Sequence, residues 1–169
     1  METQNLKLQQ IETGLNAYKF SFSGRLLDAL RNNYISYVMP RINPLALKGG
    51  RQVMGRIEQQ NYKYFLASYG NNPLLWLSAN NYPTYKLFKY FFDESGLKEV
   101  ARQLVDYERD VILYCGFFVI GNRSGQEMWH VDYQPGANGY TLITPLFELS
   151  KTHGNLLYLN KDQQRMRYK

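Results

Sequence analysis

The sequence predicts an α+β fold in a single domain. Helical periodicity over residues 23–37 and 84–107 precedes apolar, strand-like runs at 111–120 and 140–147, and no repeat or low-complexity linker divides the chain. A chain of 169 residues is long enough for one sizeable core and too short for two.

Taken in order, residues 1–22 read as extended structure able to pair on a sheet edge, with Lys19-Phe20-Ser21-Phe22 alternating. Ser23 is placed to cap a helix over 24–37 that gathers Leu26, Leu27, Leu30, Tyr34 and Tyr37 on one face, and Pro40 is expected to end it. From Arg41 to Asn72 turn signals dominate, and Asn61 to Tyr69 fits either a strand or a short helix. Helical character returns over 84–92, after Pro83, and from Leu97 to about Tyr107. There Leu97, Val100, Ala101 and Leu104 keep helical spacing and Ser95 is the expected cap. The aromatic residues at 85–92 form a core-packing stripe. The run 111–120 is the first strong strand. A turn over Gly121 to Gly125 follows, then Glu127-Met128-Trp129-His130-Val131-Asp132-Tyr133, a Gly/Pro turn over 134–139, a second strand over 140–147, and a polar stretch leading into Leu156-Leu157-Tyr158-Leu159. The last residues, Arg165 to Lys169, read as a strand that is ordered and paired in a sheet.

Composition narrows the function classes. The chain is 44% hydrophobic with dispersed charge, contains no run of eighteen apolar residues, and shows no signal-peptide pattern near Met1, so a cytoplasmic protein without a membrane partner is expected. The single Cys115 lies in the most apolar run and reads as a buried reduced thiol. A net charge of +6 with 15 Tyr and 9 Phe could suit nucleic acid. The basic residues are nevertheless scattered and nucleic-acid motifs are absent, so no nucleic-acid partner is expected.

The motif that carries chemistry is His130-Val131-Asp132. In an extended segment side chains alternate faces, so His130 and Asp132 point one way while Trp129, Val131 and Tyr133 point the other. One imidazole and one carboxylate side by side supply two thirds of the facial triad that holds non-haem Fe(II) and leaves positions open for substrates.

With its W-H-x-D-Y block, an apolar strand ending in Pro145-Leu146, and Gly154-Asn155-Leu156-Leu157-Tyr158-Leu159 after a polar stretch, the chain from about 110 to 169 resembles the Fe(II)/2-oxoglutarate-dependent oxygenase superfamily. Within it the prolyl-hydroxylase and phytanoyl-CoA-dioxygenase-like branches are the most similar. The resemblance implies N-terminal helices packed on a double-stranded β-helix of the jelly-roll or cupin type. Residues 1–109 would be a mainly helical support and 110–169 the first part of the β-helix core of one 1–169 domain. It further implies that His130 and Asp132 bind Fe(II), that 2-oxoglutarate is the co-substrate, and that ascorbate is a candidate accessory reductant. The substrate would be a small molecule or peptide, hydroxylated or desaturated, because Asp132 is retained where related halogenases carry a small residue. Tyr114, Thr141 and Thr144 are the co-substrate-binding candidates. Tyr114 also fits as a core residue with its hydroxyl at the rim.

The family pattern further requires a distal histidine and a basic residue for 2-oxoglutarate. His153 reads as a loop residue and not as that ligand, so the late strands are expected to be missing or supplied by a complementing chain. An open sheet edge would also invite self-association. The competing class is a non-catalytic cupin-like binding module or one half of a split oxygenase.

Overall fold

The computed structural model describes residues 8–46, 53–57, 61–69, 72–105, 112–120, 133, 139–149, 157–160, 162 and 164–167. It is a mixed α and β structure with small antiparallel sheets.

Near the N-terminus β1 (Gln9–Gln10) and β2 (Tyr18–Lys19) pair antiparallel, with Gly14 at φ 87° in the turn where a side chain would be strained. These strands pair with each other and not with the edge of the main sheet. Phe20 and Phe22 beyond them pack on the core, Phe22 edge-on to Phe91 at 5.1 Å.

The helical segment opens with a 3₁₀ turn (Gly24–Leu27) and continues as α1 (Asp28–Asn33), a π turn (Tyr34–Val38) and α2 (Met39–Ala46). Ser23 occupies the capping position in extended geometry but makes no side-chain cap bond. Contrary to the sequence expectation, Pro40 does not end the helix. It falls in the first turn of α2, where a missing N–H costs little, and the wider π turn before it, closed by the Met39 N–H donating to the Tyr34 carbonyl, accommodates the ring.

The main sheet is an antiparallel ladder in the order β3 (Val53–Ile57), β4 (Tyr62–Tyr69), β5 (Asn72–Ala79) and β6 (Gly116–Ile120). Three of its strands fall within residues 53–79. The ambiguous 61–69 segment is therefore a strand. Between β5 and β6 the chain forms α3 (Tyr82–Glu94) and α4 (Leu97–Val105). The side chain of Asn81 caps α3 by accepting from the Thr84 N–H at 2.9 Å, and Pro83 fits its first turn, so the helix begins two residues earlier than its periodicity predicts. Ser95 caps the end of α3 and not the start of α4. Its hydroxyl donates to the Phe92 carbonyl, and Gly96 at φ 78° reverses the chain before α4.

The run expected to form a strand from 111 is regular only from Gly116, although the Ala79 N–H still donates to the Cys115 carbonyl at 3.1 Å. The expected strand at 140–147 is not formed, and described residues 139–149 carry no regular structure. Leu146 packs on the core while Ile143 is exposed, Pro145 has no N–H to give, and side chains tether the segment instead. The Arg31 guanidinium donates to the Leu146 carbonyl at 2.7 Å and also binds Asp28 and the Gly24 carbonyl. At the C-terminal end β7 (Leu157–Leu159) pairs antiparallel with β8 (Arg165–Arg167), so the expected terminal strand is ordered and paired. Asn160 forms the turn, its Oδ1 accepting from the N–H groups of Asp162 and Gln164.

The core joins Leu27, Leu30 and Val38 from the first helical segment, Tyr62, Leu75, Leu77 and Phe117 from the sheet, and Phe88, Phe91 and Leu97 from the second helical pair. Phe117 is its centre, with ring centroids 5.3 Å from Tyr34, 5.7 Å from Tyr62 and 5.1 Å from Phe88. Truncating it would remove contacts to both helical layers and to the sheet at once. Phe117→Ala is expected to lower unfolding stability by about 3–5 kcal/mol. Urea denaturation followed by far-ultraviolet circular dichroism would measure this, and a loss below about 1 kcal/mol would show that β6 is not an integral part of the core.

Candidate functional site

Strand alternation gives the main sheet two unlike faces. Along β4, β5 and β6 the paired positions Tyr64, Leu77 and Phe117 face the helices, as do Leu75 and Val119. The neighbouring positions Phe65, Trp76 and Phe118, and the row Lys63, Ser78 and Gly116, face the other way by the same register. Trp76 is 45% exposed and Phe118 is 54% exposed, and Ile120 is exposed beside them. Such a contiguous aromatic surface is unusual outside a binding site.

Tyr114 stands at the edge of this face. It is 71% exposed, its hydroxyl shares a hydrogen bond with that of Ser78, and its ring lies 6.2 Å from that of Trp76. Trp76 and Phe118 meet edge to face at 5.8 Å and 88°, an arrangement in which each ring's positive edge meets the other's negative face. Gly116 is needed for this assembly. A Cβ at that position would lie 1.8 Å from the Leu77 carbonyl oxygen, so only glycine lets β6 approach β5 here. The result is an aromatic floor with a hydroxyl pair at one end, in the cross-strand row that also carries Lys63 and Arg56. Such a surface can stack a planar or apolar group and orient one polar group.

The opposite side of the same strands is chemically quiet. Cys115 is half-buried, and burial pushes its thiol up to about 11. Tyr62 is fully buried, donates its hydroxyl proton to Asn33 Oδ1, and is held protonated first by burial and then by the neighbouring Cys115. Neither group is a nucleophile near neutral pH.

Of the residues singled out from sequence, His130 and Asp132 lie outside the described residues, as does His153. Tyr114 is displayed on the helix-free face and not sunk in the core with its tip at the rim. Thr141 is exposed and Thr144 half-buried in the irregular 139–149 segment. That segment is fastened to the helical side: the Tyr140 hydroxyl reaches Asn16 Oδ1 at 3.0 Å and the Leu104 carbonyl at 3.4 Å, and Phe147 packs edge-on to Tyr34. Sequence reasoning missed Ser78, Trp76, Phe118 and Lys63. Leu74-Leu75-Trp76-Leu77 and Phe117-Phe118 are apolar at every position, so no alternation in polarity reveals the first three.

Among the described residues no helix is long and apolar enough to cross a membrane. Comparison with protein-family models, with curated proteins and with solved structures finds no match.

The Cys115 thiol gives a pH signature. Its pKa is raised in the fold above the ordinary value of 9.0, so folding favours the protonated form. Its contribution to stability is therefore intact below about pH 9 and lost as the pH rises toward about 11. Urea titrations of the protein and of Cys115→Ala across this range should show the two stabilities converging or crossing as the thiol of the parent ionises. A pH-independent difference between them would contradict the assigned burial.

Proposed function

We propose that the chain is an Fe(II)- and 2-oxoglutarate-dependent dioxygenase on a double-stranded β-helix, acting by hydroxylation or desaturation on a small molecule or peptide. The observation that carries this reading is the His130-Val131-Asp132 pattern shortly beyond β6, the strand that completes the helix-backed sheet. Among the described residues the helices lie on one face of that sheet, and Tyr114, Ser78 and an aromatic floor lie on the other. This is the distribution expected of a sheet whose free face lines a barrel interior.

The donor set suits the metal. A neutral imidazole from His130 and a carboxylate from Asp132 are ligands of the type non-haem Fe(II) takes, and a third protein ligand remains to be assigned. When bound, Fe(II) with 2-oxoglutarate and dioxygen would supply the oxidising chemistry: one oxygen atom would enter succinate as carbon dioxide is lost, and the other would serve to oxidise an unactivated C–H bond. The chain's own residues provide placement. If the Ser78 hydroxyl donates to the Tyr114 oxygen, the phenolic proton is left free to be given to a carboxylate of the co-substrate. Of the three co-substrate candidates Tyr114 is the one whose described partner stands on the helix-free face, while Thr141 and Thr144 sit in the segment tied to the helices. Asp132 serves as a ligand and leaves no room for a halide in its place.

The test is succinate formation from 2-oxoglutarate in the presence of Fe(II), ascorbate and oxygen. Turnover is expected, and His130→Ala and Asp132→Ala should each reduce it to background while leaving the circular dichroism spectrum unchanged. Tyr114→Phe should raise the KM for 2-oxoglutarate more than it lowers kcat, because it removes one charge-assisted hydrogen bond worth about tenfold in affinity. Equal succinate yields from the protein and from both ligand variants would remove the oxygenase reading.

A further inference from the structure

The helix-free face combines features that the oxidation chemistry alone does not require. On β4, β5 and β6 it presents Phe65, Trp76 and Phe118 as a row across three strands, with Ile120 beyond them and Tyr114 at the side. Adjacent strands lie about 4.8 Å apart, so this floor is roughly 10 Å wide, the size of one or two fused rings. The charge on it is one-sided. Lys63 is exposed, opposes Ser78 in the ladder, and is diagonal to Trp76, a spacing of roughly 7–8 Å. Arg56 of β3 opposes Lys63 in the ladder and so lies on this face too; among the described residues the face carries no Asp or Glu, and Lys63 makes no ion pair there.

We propose that this face binds a small amphipathic carboxylate, with an aromatic or cyclic apolar group stacked on Trp76 and Phe118 and its carboxylate held by the Lys63 ammonium. A ring joined to a carboxylate through a short carbon chain matches the diagonal from Trp76 to Lys63. The charge decides between occupants. A single-stranded nucleic acid needs a line of cations along its backbone, and the described part of this face places only Arg56 and Lys63, side by side in one cross-strand row. A second copy of the chain would bring another +6 charge and another Lys63 against the first. Two neighbouring cations at one end of an aromatic floor suit one small anion. Binding itself does not depend on iron; only the assignment of this ligand as the oxygenase substrate rests on the reading above.

The experiment uses the protein with Trp129→Phe, so that fluorescence reports Trp76 alone, in buffer containing a chelator. The probe is 3-phenylpropanoate, with the neutral 3-phenylpropanamide as control. The acid should quench Trp76 saturably and bind about tenfold more tightly than the amide, the usual scale of one charge-assisted contact. Lys63→Met, which keeps the length of the side chain, should reduce the difference between acid and amide, and combining it with Arg56→Met on the neighbouring strand should abolish it. Lys63→Gln serves as a second test if the first variant is poorly folded. Trp76→Ala, followed by calorimetry, should weaken both ligands. Equal affinities for acid and amide, or an acid affinity untouched in the folded Lys63 variants, would overturn the proposal. So would a blue-shifted Trp76 emission shielded from acrylamide, which would mean that protein covers the face, or preferential quenching by oligo-dT at physiological salt. Acid binding without any Fe(II)-dependent succinate formation would leave this site standing and remove the oxygenase reading; the reverse pair of results would do the opposite.

Discussion

The aromatic contact set around Phe117 is the interaction on which the rest of the architecture depends. β6 reaches the sheet only after the chain has left β5, formed α3 and α4, and returned, so its docking closes a long loop whose entropy must be recovered by packing. Phe117 recovers it by meeting three separately built layers: Tyr34 of the π turn, Tyr62 of β4 and Phe88 of α3. Each aromatic pair adds about 0.5–1.5 kcal/mol beyond the area it buries. Tyr34 then carries the order outward, since its other edge receives Phe147 of the irregular segment that Arg31 also fastens. The close approach of Gly116 to Leu77 sets how deeply the ring enters.

The legible parts of the fold were those where one face of an element is buried and the other wet. α4 shows this in Leu97, Val100 and Leu104, and α3 in its aromatic stripe, so helical periodicity located both. β5 defeated the same reasoning because Leu74-Leu75-Trp76-Leu77 is apolar at every position. A run buried on one face and aromatic on the other has no alternation in polarity to detect. Pro40 misled for a different reason: a proline forbids its own hydrogen bond but not a fresh helical start, and the π turn that makes the start possible has no sequence signature. The 140–147 run misled in the opposite direction. Its apolar content is real, but side-chain tethers from Arg31 and Tyr140 stand where a strand ladder was expected.

The candidate site was legible only in part. Tyr114 was identifiable as a tyrosine near the H-x-D motif, yet its exposure and its partner Ser78 depend on a pairing between β5 and β6 that spans the two intervening helices. Trp76 and Lys63 carry no local motif. They become a site because β4 and β5 place them on a common face, which is a property of register and not of sequence proximity.

That register couples stability to recognition. Phe117 and Phe118 are adjacent, and the pleat sends one into the core and the other onto the open face, so a slip of β6 by a single residue would exchange them. It would also move Gly116 away from the Leu77 carbonyl and put a side chain where none fits. The core therefore selects the register in which Phe118 stands opposite Trp76 and Tyr114 reaches Ser78, with no separate device holding the exposed residues in place. Substitutions of Trp76, Phe118 or Lys63 can in turn change what is bound at little cost to folding, because Phe117 fixes the strand from its other side and, on the open face, only Gly116 is bound to the register.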